Sequence, residues 1–158
     1  MNAETRRNLL LFAARFVAAG ALLLAGYLKA TGNPLAFKLS IDSFKLAPEV
    51  LHWPLAYYLP ALELLLGLTL LLGVWARASA LLAAGLLGAF TLGLASVILR
   101  GMKVDCGCFG GLFGEATVGW TSIARNAVFV AAALITVIFG GGRWAIMNEQ
   151  RRDEQTTA

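Results

Sequence analysis

Residues 78–99 read ASALLAAGLLGAFTLGLASVIL, 22 consecutive positions without a charge. A helix rises about 1.5 Å per residue, and the hydrocarbon core of a bilayer is about 30 Å thick. This stretch is therefore long enough to cross it. Three further apolar runs flank it, at about 9–29, 54–74 and 120–140. In lipid every backbone N–H and C=O must find its partner within the protein, so runs of this length are helices. Barrel strands would be half as long and would alternate in polarity.

Composition agrees. Hydrophobic residues make up 59% of the 158 positions and charged residues 14%, where a soluble domain carries roughly 25%. Mean hydropathy is +0.74. Too few charges remain to coat a water-facing globule, which excludes an ordinary soluble enzyme, and a disordered chain is excluded by the same excess of apolar residues. The net charge of +4 comes from scattered Lys and Arg that flank apolar runs, a membrane pattern and not a nucleic-acid one. The lipid bilayer is the expected partner.

The tryptophans check the boundaries. Trp53 and Trp75 bracket the second span, and Trp120 and Trp144 the fourth, where an amphipathic ring meets both headgroup and tail. Tyr27, Tyr57 and Tyr58 also fall near span ends. The first span follows Arg6 and Arg7 but is longer than the apolar stretch of a signal peptide, so it reads as a retained helix. Four spans put both termini on one side. The terminal segments and the turn after the second span hold Arg6, Arg7, Arg77, Arg143, Arg151 and Arg152, against Lys29, Lys38, Lys45, Arg100 and Lys103 opposite. That bias predicts cytoplasmic termini.

The connection between spans two and three is short enough for an antiparallel hairpin. Between spans one and two, Asn33-Pro34 forms a helix-start signal, and Phe37, Ile41 and Phe44 recur at helical spacing among Lys38, Asp42 and Lys45. These residues predict a short amphipathic surface helix, although residues 37–42 also alternate as a strand does. The polar tail 149–158 reads as disordered. The expected fold is all-α and a single domain over residues 1–158. It is a four-transmembrane-helix bundle with a surface helix between spans one and two and a Cys-Gly-Cys loop between spans three and four.

That loop holds the chemistry. Both cysteines of the chain lie in Lys103-Val104-Asp105-Cys106-Gly107-Cys108-Phe109-Gly110. Glycines let the backbone fold tightly enough to bring the sulfurs together, and a disulfide across one residue departs from preferred geometry, which makes it easily reduced. Lys103 and Arg125 favour the thiolate, while Asp105 opposes it. Two other uses compete: a permanent disulfide that pins the loop, or a soft-metal site completed by Met102 or His52. At most three plausible ligands are present where a structural zinc wants four, so no metal is assigned.

Ionisable groups inside spans form a second constellation, because such groups are costly in lipid and usually pair within the bundle. Counted from the outer surface, Arg125 lies roughly 8 Å deep, Glu63 roughly 14 Å and Arg15 roughly 20 Å, with Lys29 near the outer end of its helix. Glu63 is then expected within reach of Arg125, Arg15 or both, either as a register-fixing ion pair or as a polar patch for a proton or a quinone headgroup. Gly20, Gly26, Gly67, Gly85, Gly88 and Gly93 are expected at close helix contacts.

The pattern resembles the MauE/DoxX-like family of redox-associated membrane proteins. The matching features are Arg15 with Ala19-Gly20 and Gly26-x-x-Lys29, then Leu59-Pro60 with Glu63-Leu64-Leu65-Leu66-Gly67, and above all Asp105-Cys106-Gly107-Cys108-Phe109-Gly110. The resemblance implies a four-helix bundle. It also implies a role in maturing a disulfide-rich periplasmic protein beside a thioredoxin-like partner. Cys106 and Cys108 carry over as the redox pair, with Lys103, Asp105, Gly107 and Phe109 supporting them. Arg15, Lys29, Glu63 and Arg125 carry over as matching polar positions. Disulfide-generating enzymes of the DsbB and vitamin K epoxide reductase type use two cysteine pairs, and this chain has one. Its expected function is thus thiol–disulfide exchange with a thioredoxin-like protein or a cysteine-rich client, with a quinone as the candidate cofactor. The alternative is a non-catalytic accessory or assembly subunit of a larger membrane redox complex.

Overall fold

A computed structural model describes residues 3–45, 48–101 and 119–140. Within them the chain is all-helical, without a strand. The elements are α1 (Ala3–Thr31), α2 (Pro34–Phe44), a 3₁₀ turn (Glu49–Leu51), α3 (His52–Leu72), α4 (Ala76–Leu99) and α5 (Trp120–Phe139). Four segments are long and apolar enough to cross a membrane: Thr5–Thr31, Glu49–Leu72, Ala76–Leu99 and Trp120–Phe139. The expectations for the tail 149–158, for Trp144 and for the Cys-Gly-Cys loop lie outside the described residues.

The helices begin and end where local chemistry dictates. Asn33 accepts a hydrogen bond from the Leu35 amide at 2.9 Å, and Pro34 supplies the first helical φ. The ambiguous stretch 37–42 is therefore helical, since a capped start outweighs a six-residue alternation. At the other end of α3, Gly73 adopts a left-handed conformation (φ 71°) and its amide returns to the Leu70 and Thr69 carbonyls. Val74 bonds back to Thr69 as well, and α4 starts after Trp75, itself left-handed at φ 45°. The α3–α4 hairpin is thus a tight, well-bonded turn. Several hydroxyls inside the spans bond back to their own helices, as with Thr91 to Leu87 at 2.8 Å and Thr136 to Ala132 at 3.1 Å, which satisfies those groups where no water is at hand.

Two seams hold the bundle. The helix pairs α1–α3 and α4–α5 pack most extensively, and α1 also packs on α5. The main core is rich in alanine: Ala18, Ala19 and Leu22 meet Leu66 and Leu70, Ala80, Ala83 and Ala84, and Ala132 and Ala133. Small side chains suit this place, because lipid tails are as apolar as leucine and helix association in a membrane must come from close packing. Of the six glycines expected at close contacts, Gly26 and Gly67 fit. A Cβ on Gly67 would stand 2.8 Å from Leu23 Cγ. A Cβ on Gly26 would stand 2.9 Å from Leu64 Cγ and 3.0 Å from the Pro60 carbonyl oxygen. Gly20, Gly85 and Gly88 depart from the expectation, since a Cβ there would meet nothing within 4 Å. Composition alone cannot tell which face of a helix a glycine occupies.

These contacts set the height of every residue. Gly26 lies opposite Glu63, and Leu23 opposite Gly67, in an antiparallel arrangement. Thr31, the end of α1, is then level with about Leu59, so α3 runs about 10 Å beyond α1. Helix α2 fills that step, packing on α3 and on the end of α1. Phe37 is buried there, and Phe44 joins a small cluster with Ala25, Leu94 and Ile123.

Candidate functional site

The step under α2 creates a polar site that four helices share. Lys29 from α1 donates a hydrogen bond to Glu63 Oε1 from α3 as a buried ion pair, each side chain only 1% exposed. Two rings take the other side of the ammonium. Lys29 Nζ lies 4.4 Å from the centroid of Phe90 on α4 and 5.4 Å from that of Phe37 on α2. An aromatic face attracts a cation most strongly where water is excluded. The ammonium is thus held by a carboxylate and two ring faces together.

The local sequence explains why this pair forms. A helical side chain leans toward the N-terminus of its helix, which carries Lys29 back toward the level of Gly26. Gly26 has no side chain and faces Glu63, so the carboxylate can enter the space between the helices. Counting depth from the span ends named Arg15 as a partner instead, because it assumed that α1 and α3 end at one height. They differ by about 10 Å, and the observed register puts Arg15 level with the turn at residues 73–75, about 18 Å from Glu63. Arg15 is buried there and lies 5.5 Å over the Phe12 ring. Arg125 is half-buried on α5. Because Arg77 Nε on α4 lies 3.4 Å from a Cβ at Gly140 just beyond α5, antiparallel counting sets Arg125 near the height of Leu92, within a turn of Phe90.

Glu63 carries a loose end. Its Oε2 is buried and has no hydrogen-bond partner among the described residues. Buried acceptors are nearly always satisfied, so such an atom calls for a physical account.

Helix α2 is fastened by polar contacts as well. Lys38 Nζ lies 5.5 Å over the Trp53 ring, and Trp53 stacks on Tyr57 at 6.0 Å. His52 Nδ1 is 3.5 Å from Asp42 Oδ1. His52 is 2% exposed, so it is buried beneath α2 and not at an open interface. Sequence reasoning found Lys29 and Glu63 but missed Phe37 and Phe90 as their companions. The available signal was a pair of i, i+3 patterns, Gly26-x-x-Lys29 and Pro60-x-x-Glu63, each setting a glycine or a proline one turn from a charge.

Lys103, Asp105, Cys106, Gly107, Cys108 and Phe109 lie outside the described residues. The residues flanking them are described. Arg100 caps α4, Gly101 follows at φ 67°, and Gly119 caps α5. Both flanks sit at the same end of the bundle as α2 and the end of α1.

Comparison with known proteins gives the chain a family. A family model described as "Methylamine utilisation protein MauE" matches residues 7–139. The methylamine utilization protein MauE of Paracoccus versutus is 37% identical over 96 residues, 60% of this chain and 50% of that protein. The protein of the same name from Paracoccus denitrificans is 35% identical over the same extent. The one from Methylorubrum extorquens is 39% identical over 95 residues, again 50% of its length. The match thus spans about half the length of these curated relatives. No solved structure matches the chain. Since the family match takes in all four apolar helices together with α2 and the Lys29–Glu63 site, this multi-pass membrane protein belongs to the MauE family.

Proposed function

We propose that the chain is a thiol–disulfide exchange protein of the bacterial inner membrane, with cytoplasmic termini, that works through Cys106 and Cys108 on the periplasmic side. By its relatives' names, the pathway served is methylamine utilisation. The observation that carries this reading is that the chain's two cysteines fall one residue apart, in the single connection between α4 and α5. Lys103 favours the thiolate form of that pair and Asp105 tempers it.

The exchange balances without any group beyond the two proteins. A thiolate of the chain attacks one sulfur of the partner's disulfide, giving a mixed disulfide and a partner thiolate. The chain's second thiolate then attacks the first cysteine's Sγ, closing the Cys106–Cys108 bond and releasing the partner's second thiolate. Two electrons pass to the partner, and the same steps in reverse oxidise it. The partner class is a thioredoxin-like periplasmic protein or a cysteine-rich client. A membrane quinone is the carrier class suited to restoring the pair, by taking or giving two electrons.

The test uses cysteine variants in native membranes. Alkylation after denaturation is expected to find both thiols blocked in oxidising membranes, and a Cys106→Ser or Cys108→Ser variant is expected to accumulate a mixed disulfide with its partner on non-reducing gels. Full pathway activity in the double Cys→Ser variant would overturn the reading and leave an accessory or assembly role.

A further inference from the structure

The geometry points to Glu63 as a reversible proton-binding site inside the membrane, built so that its carboxylate can gain and lose a proton beside Lys29. This goes beyond thiol exchange and does not rest on it. Three observations converge. Within residues 9–29, 54–74, 78–99 and 120–140 the sequence holds one carboxylate, Glu63. Its Oε2 is buried with no partner among the described residues, while Oε1 takes Lys29. And Lys29 has a second means of support in the faces of Phe90 and Phe37.

The third observation separates this site from a permanent ion pair. In an ordinary buried pair, neutralising one partner strands the other as an uncompensated charge in low dielectric, which is strongly destabilising. Here the cation keeps two ring faces when the carboxylate turns neutral. The ligand must also be very small. Glu63 is 1% exposed, and α1 presses against it through Gly26, where even a Cβ would stand 3.1 Å from Glu63 Cβ. A proton needs no more space than a vacant lone pair on Oε2. In the step, a hydronium ion gives its proton to Oε2 and becomes water. The O–H bond forms on Glu63, its other oxygen remains the acceptor for Lys29, and the site's net charge rises by one.

Lys29 is the charged group hydrogen-bonded to Glu63, and Arg125 on α5 stands near the height of Phe90. From α2, Lys38 and Asp42 are engaged with Trp53 and His52 near the start of α3. From α4, Phe90 contributes a ring, and the helix's charges, Arg77 and Arg100, lie at its two ends. Glu49 sits in the 3₁₀ turn before α3.

Infrared difference spectroscopy on the full chain in phospholipid nanodiscs tests this at every pH where circular dichroism shows the helices intact. Wild type minus Glu63→Gln is expected to show a protonated-carboxyl C=O band that appears and disappears reversibly with pH. The Cys106→Ser/Cys108→Ser double variant is expected to keep it, which separates this inference from the thiol reading. A difference spectrum with no such band at any pH short of unfolding would overturn the inference and leave a locked ion pair. If Glu63→Gln does not fold, wild type carrying ¹³C-carboxyl glutamate gives the same answer by solid-state NMR. There, a buried glutamate carboxyl resonance that never moves with pH overturns the inference, and one that moves supports it.

Discussion

Lys29 and Glu63 show how much a single charge can matter once it leaves water. Each side chain is 1% exposed, so removing either one leaves the other charge without its main partner. Breaking a buried pair from one side costs on the order of 3–5 kcal/mol, whereas replacing both partners with apolar groups of similar size is often neutral or better. Lys29→Met is therefore expected to lower stability by about 3–5 kcal/mol, less whatever Glu63 recovers by taking up a proton. The Lys29→Met/Glu63→Leu double variant is expected to return most of that loss. Unfolding by SDS in mixed micelles reads both, and a double variant no more stable than the single one would show that the pair's net contribution is favourable in its own right. The presence of these charges was legible in the sequence, because ionisable residues stand out in apolar runs. Their partnership was not. It depends on where α1 stops relative to α3, and that offset of about 10 Å is a property of two helices in contact.

Helix-to-helix contact is also where the glycines divide. Gly26 and Gly67 sit on the α1–α3 seam, while Gly20 and Gly85 face open space, yet all four look alike in a list of small residues. A methyl group at Gly26 would have to displace Leu64 and the Pro60 carbonyl, and backbone cannot move as cheaply as a flexible side chain. Gly26→Ala is expected to cost about 1–3 kcal/mol and to disturb the site, because the same Cβ would press on Glu63. At Gly20 nothing opposes the methyl, so Gly20→Ala is expected to be neutral or to gain up to about 1 kcal/mol from the better helix former. Thermal unfolding of the two variants side by side measures the contrast, and equal effects would refute the register. Helix α2 was readable beforehand because Asn33-Pro34 and the Phe37, Ile41, Phe44 spacing are local signals. That Phe37 would end over an ammonium from α1 was not, since its partner lies on another helix.

The whole molecule has two unlike ends. One carries the tight α3–α4 turn with Arg77, and Arg15 lies buried at its height. The other carries α2, the Lys29–Glu63 site and the described flanks of the cysteine-bearing connection, Gly101 and Gly119. Span number and pairing were legible because a bilayer demands long apolar helices. The sidedness that the proposed thiol chemistry needs rests on a narrower margin, Arg6, Arg7 and Arg77 with the C-terminal arginines against Lys29, Lys38, Lys45, Arg100 and Lys103. An oxidising compartment sustains a disulfide where a reducing cytosol would keep the thiols free, so orientation and function stand or fall together. A membrane-impermeant maleimide added to intact spheroplasts after mild reduction is expected to label Cys106 or Cys108. A cysteine placed at the start of α4, beside the turn, as in Ala78→Cys on a Cys106→Ser/Cys108→Ser background, is expected to react only after the membrane is opened. The reverse pattern would put the sulfurs in the cytosol, where periplasmic clients are out of reach. The bundle would then keep its fold and its buried pair, but exchange with secreted proteins would no longer be a chemistry open to it.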